Sequence, residues 1–174
     1  MKSKQFIGIP LIVATLAFSF IVIDQLLSPT LLPQGNGGFG WISFQAWAVY
    51  FLAGCDVKGG IKALLGYATG VVMTILIFEL AGLAGSLGFF AVPVAAFVVV
   101  TAVIFTEKLP PFDLIPAIFI GAGAMVCFLS YIDGATYANA SMAILLYSAI
   151  GLVYGYLTVA LRTFYEKRVS ASCK

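Results

Sequence analysis

Histidine is absent from the chain, and cysteine occurs only as Cys55, Cys127 and Cys173, too far apart to form a C-x-x-C pair. With no imidazole and no paired thiols, zinc and haem sites have no ligand set to draw on, so neither a metal nor another cofactor is expected. Losing histidine also removes the usual neutral-pH general base, which leaves carboxylates as the only groups for a proton relay. Charge is scarce too. Asp, Glu, Lys and Arg make up 9% of the residues, where a soluble domain carries roughly 25%. The net charge of +2 and the lack of basic clusters interleaved with aromatics argue against nucleic acid as a partner. No Gly-rich phosphate loop and no nucleophile-and-base constellation occurs, so no enzyme activity is expected.

What the chain has instead is apolar length. Hydrophobic residues make up 62% of it, in repeated runs of about 20, the number needed to cross a hydrocarbon core of about 30 Å. Gly, Pro and charge interrupt these runs and place six spans at Phe6 to Leu27, Phe39 to Gly54, Gly60 to Leu83, Leu87 to Thr106, Asp113 to Ile132 and Met142 to Leu161. The expected fold is an all-α, polytopic bundle of six transmembrane helices forming a single transmembrane domain over residues 1–174. The first run follows Met1-Lys2-Ser3-Lys4 and has no small-residue cleavage site after Ile23, so it is read as a retained span. Residues 28–38 contain Pro29, Pro33, Gly35, Gly37 and Gly38 and form a loop.

The cations set the orientation. Lys2 and Lys4 precede span one, Lys58 and Lys62 flank the second loop, Lys108 lies in the fourth, and Arg162, Lys167, Arg168 and Lys174 follow span six. With six spans all of these fall on one side, and five or seven would scatter them. Positive charge is retained inside during insertion, which puts both termini in the cytoplasm.

Small residues recur at helical spacing in Gly66-x-x-x-Gly70 and Gly151-x-x-x-Gly155. Lipid gives helices no hydrophobic reason to associate, so close approach over small residues is what packs them within the chain or in a homo-oligomer. The segment Leu64-Leu65-Gly66-Tyr67-Ala68-Thr69-Gly70-Val71-Val72 also aligns without gaps to Leu145-Leu146-Tyr147-Ser148-Ala149-Ile150-Gly151-Leu152-Val153. A three-plus-three repeat of this kind must insert its second unit upside down, the inverted plan of many transporters.

Three segments carry a family resemblance: Leu52-Ala53-Gly54-Cys55-Asp56-Val57-Lys58-Gly59-Gly60-Ile61-Lys62-Ala63-Leu64, Ile115-Pro116-Ala117-Ile118-Phe119-Ile120-Gly121-Ala122-Gly123-Ala124, and Gly151-Leu152-Val153-Tyr154-Gly155-Tyr156. Together they resemble the YcdZ-like bacterial inner-membrane proteins over roughly Phe39 to Tyr156. The resemblance implies a small multi-span protein of the bacterial inner membrane, from a family without an established activity, and it carries over no catalytic or binding residues.

The residues themselves nominate four solute-binding candidates. Asp24 lies 18 positions beyond Phe6, about 27 Å of helix away and therefore near the outer interface. Glu79 and Asp133 fall on the same side. Glu79 is flanked by apolar residues, so it is expected to turn towards the protein interior, near Gln45 or the carboxylate of span one. Span two is short and Gly-flanked, and its counterpart, span five, contains Pro116, Gly121 and Gly123; matched irregular segments in two halves point to a midplane site. Trp41 and Gln45, four residues apart on span two, share a helical face and would offer an aromatic plate beside an amide. The plainer alternative puts Trp41 in an interfacial belt and Gln45 on a neighbouring helix. Asp113 reads as the cap of span five, with Pro116 in its first turn. Cys127 is expected to be buried in that span. The leading expectation is a channel or transporter for a small polar solute. The rival is a non-transporting membrane module that binds a partner protein or lipid, for which the GxxxG faces and basic rim would suffice.

Overall fold

The structure, a computed structural model, describes residues 6–33 and 35–171. Lys2, Lys4, Cys173 and Lys174 lie outside the described residues. Among those described, six α-helices occur and no strand: α1 Gly8–Leu31, α2 Ile42–Leu52, α3 Val57–Leu83, α4 Ala91–Ile104, α5 Ile115–Tyr131 and α6 Tyr137–Ala171. Turns of 3₁₀ helix lead into α2 (Phe39–Trp41) and flank α4 on both sides (Gly85–Phe90 and Phe105–Lys108). Four stretches are long and apolar enough to cross a membrane: Gly8–Leu31, Val57–Leu83, Gly85–Lys108 and Tyr137–Ala171. At 11 and 17 residues, α2 and α5 are shorter than the roughly 20 residues a span needs.

Local chemistry fixes the helix boundaries. α1 ends two residues before Pro33, which cannot continue it. Between α2 and α3 the chain reverses through Gly54 and Cys55, both at positive φ, and Asp56 then caps α3 by accepting a 2.6 Å hydrogen bond from the Gly59 amide. Pro116 sits in the first turn of α5 as expected, but Asp113 does not cap that helix. Its carboxylate instead accepts a 2.7 Å hydrogen bond from Lys62 Nζ, because an ammonium within reach outcompetes a backbone amide for an ionised oxygen. Thr136 and Asn139 start α6 by exchanging side-chain-to-amide bonds of 2.7 and 3.3 Å. α6 runs to Ala171, past the expected end at Leu161, as a polar extension carrying the Arg162–Glu166 pair at 2.8 Å.

The chain passes back and forth between two chemically distinct ends. At one, Lys62 pairs with Asp113, the α2–α3 turn at Cys55 and Asp56 lies beside Lys167, and Gly8 packs on the Tyr165 ring. At the other, Asn36 donates to the Asp133 carbonyl at 3.1 Å, Pro33 packs on Gly134, and the Tyr137 hydroxyl is within bonding reach of Glu79. Every described Lys and Arg belongs to the first end, while Asp24, Glu79 and Asp133 lie at the second.

The glycines of both GxxxG stretches make backbone-level contacts. A Cβ on Gly70 would overlap the backbone of α5 at Ile118 and Ala122, and one on Gly66 would meet the Ala117 side chain. On α6, a Cβ at Gly151 would overlap the backbone of α2 at Ser43, and one at Gly155 would overlap Tyr50. Hydroxyls reinforce both pairs: Thr74 donates to the Ala122 carbonyl at 3.1 Å, and Ser43 to the Tyr147 carbonyl at 2.6 Å. α3 on α5 and α6 on α2 are the most extensive helix pairings of the molecule. Outside them, α4 lies along α3 and α1 along α6, the latter tied by Ser28 to Tyr147 and Ser19 to Tyr154 through their hydroxyls at 3.2 and 3.0 Å.

Candidate functional site

Two of the four nominated residues come together. Trp41 and Gln45 sit one turn apart on α2 and its lead-in, with their side chains exposed, and both line a cleft of about 430 Å³ at the junction of α2 and α5. Ile120, Gly123 and Cys127 line it from α5, where spacings of three and four put them on one face. Gly123 faces open space, so its missing side chain leaves room in the cleft. Cys127 was expected to be buried; it lies within α5 but on the outward face, as an exposed thiol. The Gln45 amide and the Cys127 thiol are the polar side chains of the lining, and none of the lining residues is charged. Trp41 stacks on Phe44 and Phe44 on Trp47, with centroids 5.1 and 5.8 Å apart. This ladder of rings leads from Trp41 at the cleft round to the side of α2 where Trp47 packs on Tyr154.

Asp24 sits behind this cleft without lining it. Its Oδ1 accepts from Ser28 Oγ at 3.0 Å, the Ser28 hydroxyl is 3.2 Å from that of Tyr147, and the Gly40 turn closes over the carboxylate so tightly that a Cβ there would overlap it. A half-buried carboxylate thus opens a chain of hydroxyls that runs from the acidic end into the core. Glu79 does not turn inward. It is exposed, beside the Tyr137 hydroxyl, and does not line Gln45's cleft. The face of the helix is set by Gly66 and Gly70, which turn towards α5 and leave Glu79 outside.

Hydroxyls are the functional groups that the residue patterns alone did not nominate. Tyr147 is fully buried and bonded to Ser28, and Tyr67 and Ser148 are fully buried with no protein partner for their hydroxyls. The signal was present: Tyr67, Tyr147 and Ser148 all fall inside the two aligned segments, but single hydroxyls are common in apolar helices and do not stand out there.

At the basic end, the Lys62 ammonium beside Asp113 holds its carboxyl below the ordinary value of 3.8. A second pocket opens at this end, lined by Tyr50, Cys55, Asp56, Tyr156, Thr163 and Lys167 among others, with a volume of about 510 Å³.

A family model described as a protein of unknown function (DUF1097) matches residues 7–162. No curated protein and no solved structure matches the chain.

Proposed function

We propose, for a chain that belongs to the DUF1097 family of proteins of unknown function, that it conducts a small polar solute across a membrane, through two halves of opposite orientation. The bacterial inner membrane, with the basic end in the cytoplasm, is the setting that the cation distribution and the YcdZ-like resemblance favour. A passive or gated conduit, without enzyme chemistry, suits a bundle whose charged groups gather at its two ends.

One observation carries the proposal: the helix pairings keep their pattern when α1, α2 and α3 are exchanged for α4, α5 and α6. α3 on α5 becomes α6 on α2, and α4 along α3 becomes α1 along α6. In both strong pairs a long helix lays a glycine face on the backbone of a short helix from the other half. Such an exchange is what a two-fold axis in the membrane plane produces, and short segments in corresponding positions are where inverted-repeat transporters bind their substrates. The cleft with Trp41 and Gln45 lies between those two short helices.

The test is osmotic swelling of proteoliposomes in a panel of small solutes: urea, glycerol, formate and chloride. Uptake of at least one well above that of protein-free vesicles is the expected result. If every solute enters at the protein-free rate, conduction is wrong and a packing or partner-binding role takes its place.

A further inference from the structure

The pocket of about 510 Å³ at the basic end has no part in the conduction cleft, and its wall holds charge of both signs. Lys167 of the α6 extension and Asp56 of the α2–α3 turn contribute to it, with Cys55, Thr163 and the two tyrosines Tyr50 and Tyr156. Lys62 is engaged by Asp113 and Arg162 by Glu166, and Arg168 lies over the Phe164 ring at 4.5 Å. Lys167 has no ion-pair partner among the described residues. The Asp56 carboxylate spends Oδ1 on the Gly59 amide, which leaves its other oxygen open to a donor. Tyr50 is the buried member of the wall, 2% exposed, and its hydroxyl has no hydrogen-bond partner among the described residues. Glycines make room for its ring: a Cβ on Gly155 of α6 would overlap it, and one on Gly60 of α3 would sit 3.2 Å from its edge. The side chains whose charge bears on that hydroxyl are Asp56, Cys55 and Tyr156, all of them in the same wall. An unmet hydroxyl so placed calls for a partner from whatever enters the pocket.

An apolar furrow of about 290 Å³ adjoins this pocket between α3 and α6. Val57, Gly60, Ile61 and Leu64 form one wall, and Ala149, Leu152, Val153 and Tyr156 the other. Each set follows the i, i+3, i+4, i+7 spacing of a single helix face. Tyr50, Val57 and Tyr156 line both cavities, so the furrow begins at the polar pocket. Leu64 and Ala149 lie seven residues further along their helices, about 10 Å towards the membrane interior. Lys62, next to Ile61, is turned to Asp113 instead, and Lys58 lines neither cavity. Val57, Ile61, Val153 and Tyr156 are each at least 50% exposed, so the furrow opens on the outer surface of the bundle. In a bilayer, that surface is the one acyl chains reach.

We propose that the pocket and furrow together bind one membrane phospholipid whose headgroup carries both a phosphate and a primary ammonium. The furrow takes the first part of an acyl chain. In the pocket, Lys167 and the Tyr50 hydroxyl donate to the phosphate, and the free oxygen of Asp56 accepts from the ammonium. Charge decides the headgroup: a purely anionic one would satisfy Lys167 but bring its phosphate against the Asp56 carboxylate with nothing to offset it. A quaternary ammonium would keep the charge but has no N–H to give Asp56. The site stands apart from the cleft with Trp41 and Gln45, and it requires only that the chain lie in a membrane.

The experiment adds phosphatidylethanolamine, phosphatidylglycerol or phosphatidylcholine with identical chains to the delipidated full chain in detergent, and reads bound lipid by native mass spectrometry and thermal melting. Wild type should bind phosphatidylethanolamine most tightly, and O-phosphoethanolamine, the headgroup without chains, should bind far more weakly. Lys167→Gln, on the exposed helix extension, should weaken binding about 10-fold, and Tyr50→Phe about 2- to 10-fold. Val153→Trp, which fills the furrow, should weaken it too, while Lys58→Gln, outside both cavities, should not. Asp56→Asn keeps the cap of α3, since Asn caps as well as Asp, and should shift the preference to phosphatidylglycerol. Equal binding of the three lipids, or equal losses in Lys58→Gln and Lys167→Gln, overturns the site in favour of general lipid solvation. Unchanged binding in both Lys167→Gln and Tyr50→Phe overturns it as well. A preference for phosphatidylethanolamine that survives Asp56→Asn overturns the ammonium contact, and headgroup binding as tight as lipid binding overturns the role of the furrow.

Discussion

At the scale of single residues, the Lys62–Asp113 contact is the most sharply defined charge pair of the bundle, and it joins the start of α3 to the entrance of α5. Lys62 lowers the Asp113 pKa, so the stabilisation is complete above the ordinary carboxylate value and fades as pH falls through the lowered folded value. The melting temperature of Asp113→Asn should therefore lie below that of wild type at neutral pH, with the gap closing as the pH drops below about 4. A gap that stays constant down to pH 2 would mean that the pair is not the source. The residue scale is also where sequence and structure diverge most. Trp41 and Gln45 were legible because helical periodicity alone puts residues four apart on one face. Glu79 and Cys127 were not, since height along a helix follows from residue count while the side it faces depends on which neighbour the glycines select. Asp113 was assigned a cap because Lys62, 51 residues earlier, is invisible to any local pattern.

At the scale of helices, the molecule is held by two glycine-on-backbone crossings. Gly70 and Gly151 sit where a single methyl group would run into the opposing backbone, whereas Gly82, on the same helix as Gly70, has open space around it. Gly70→Ala and Gly151→Ala should each destabilise by about 1–3 kcal/mol through overpacking, and Gly82→Ala should be neutral or stabilising by up to about 1 kcal/mol. Equal effects at all three positions, read from detergent melting, would contradict the packing described. The existence and order of these helices were legible from runs of apolar residues punctuated by Gly, Pro and charge. Their lengths were less so: α6 continues to Ala171 because Arg162, Glu166 and Arg168 sustain a helix in water as well as Leu and Val do in lipid, and hydropathy cannot see that extension.

At the scale of the whole molecule, the two halves are interleaved, not stacked side by side. α3 of the first half finds its main partner in the second, and α6 of the second in the first, so neither half can cover its own glycine face. Residues 1–84 and 85–174 expressed as separate chains should reassemble when produced together, and each should be degraded or aggregated when produced alone. Independent accumulation of either half would show that the interleaving is dispensable. Of the pairing between the two halves, the sequence offered only a nine-residue echo; the packing of α2 on α6 and of α5 on α3 is a long-range property that no window of sequence contains.

Everything functional rests on α2 and α5, despite their shortness, carrying the chain fully from one side of the membrane to the other, since only then are the halves inverted. The direct measurement is side-specific thiol labelling with an impermeant maleimide in intact bacterial cells, on a background of Cys127→Ser and Cys173→Ser. Gly37→Cys, exposed in the loop before α2 with open space around it, reports the acidic end, and the native Cys55, exposed in the turn after α2, reports the basic end. The expected result is labelling at position 37 from outside and at Cys55 only after permeabilisation. Labelling of both from the same side would mean that α2 turns back without crossing, and it would contradict the inverted two-half architecture.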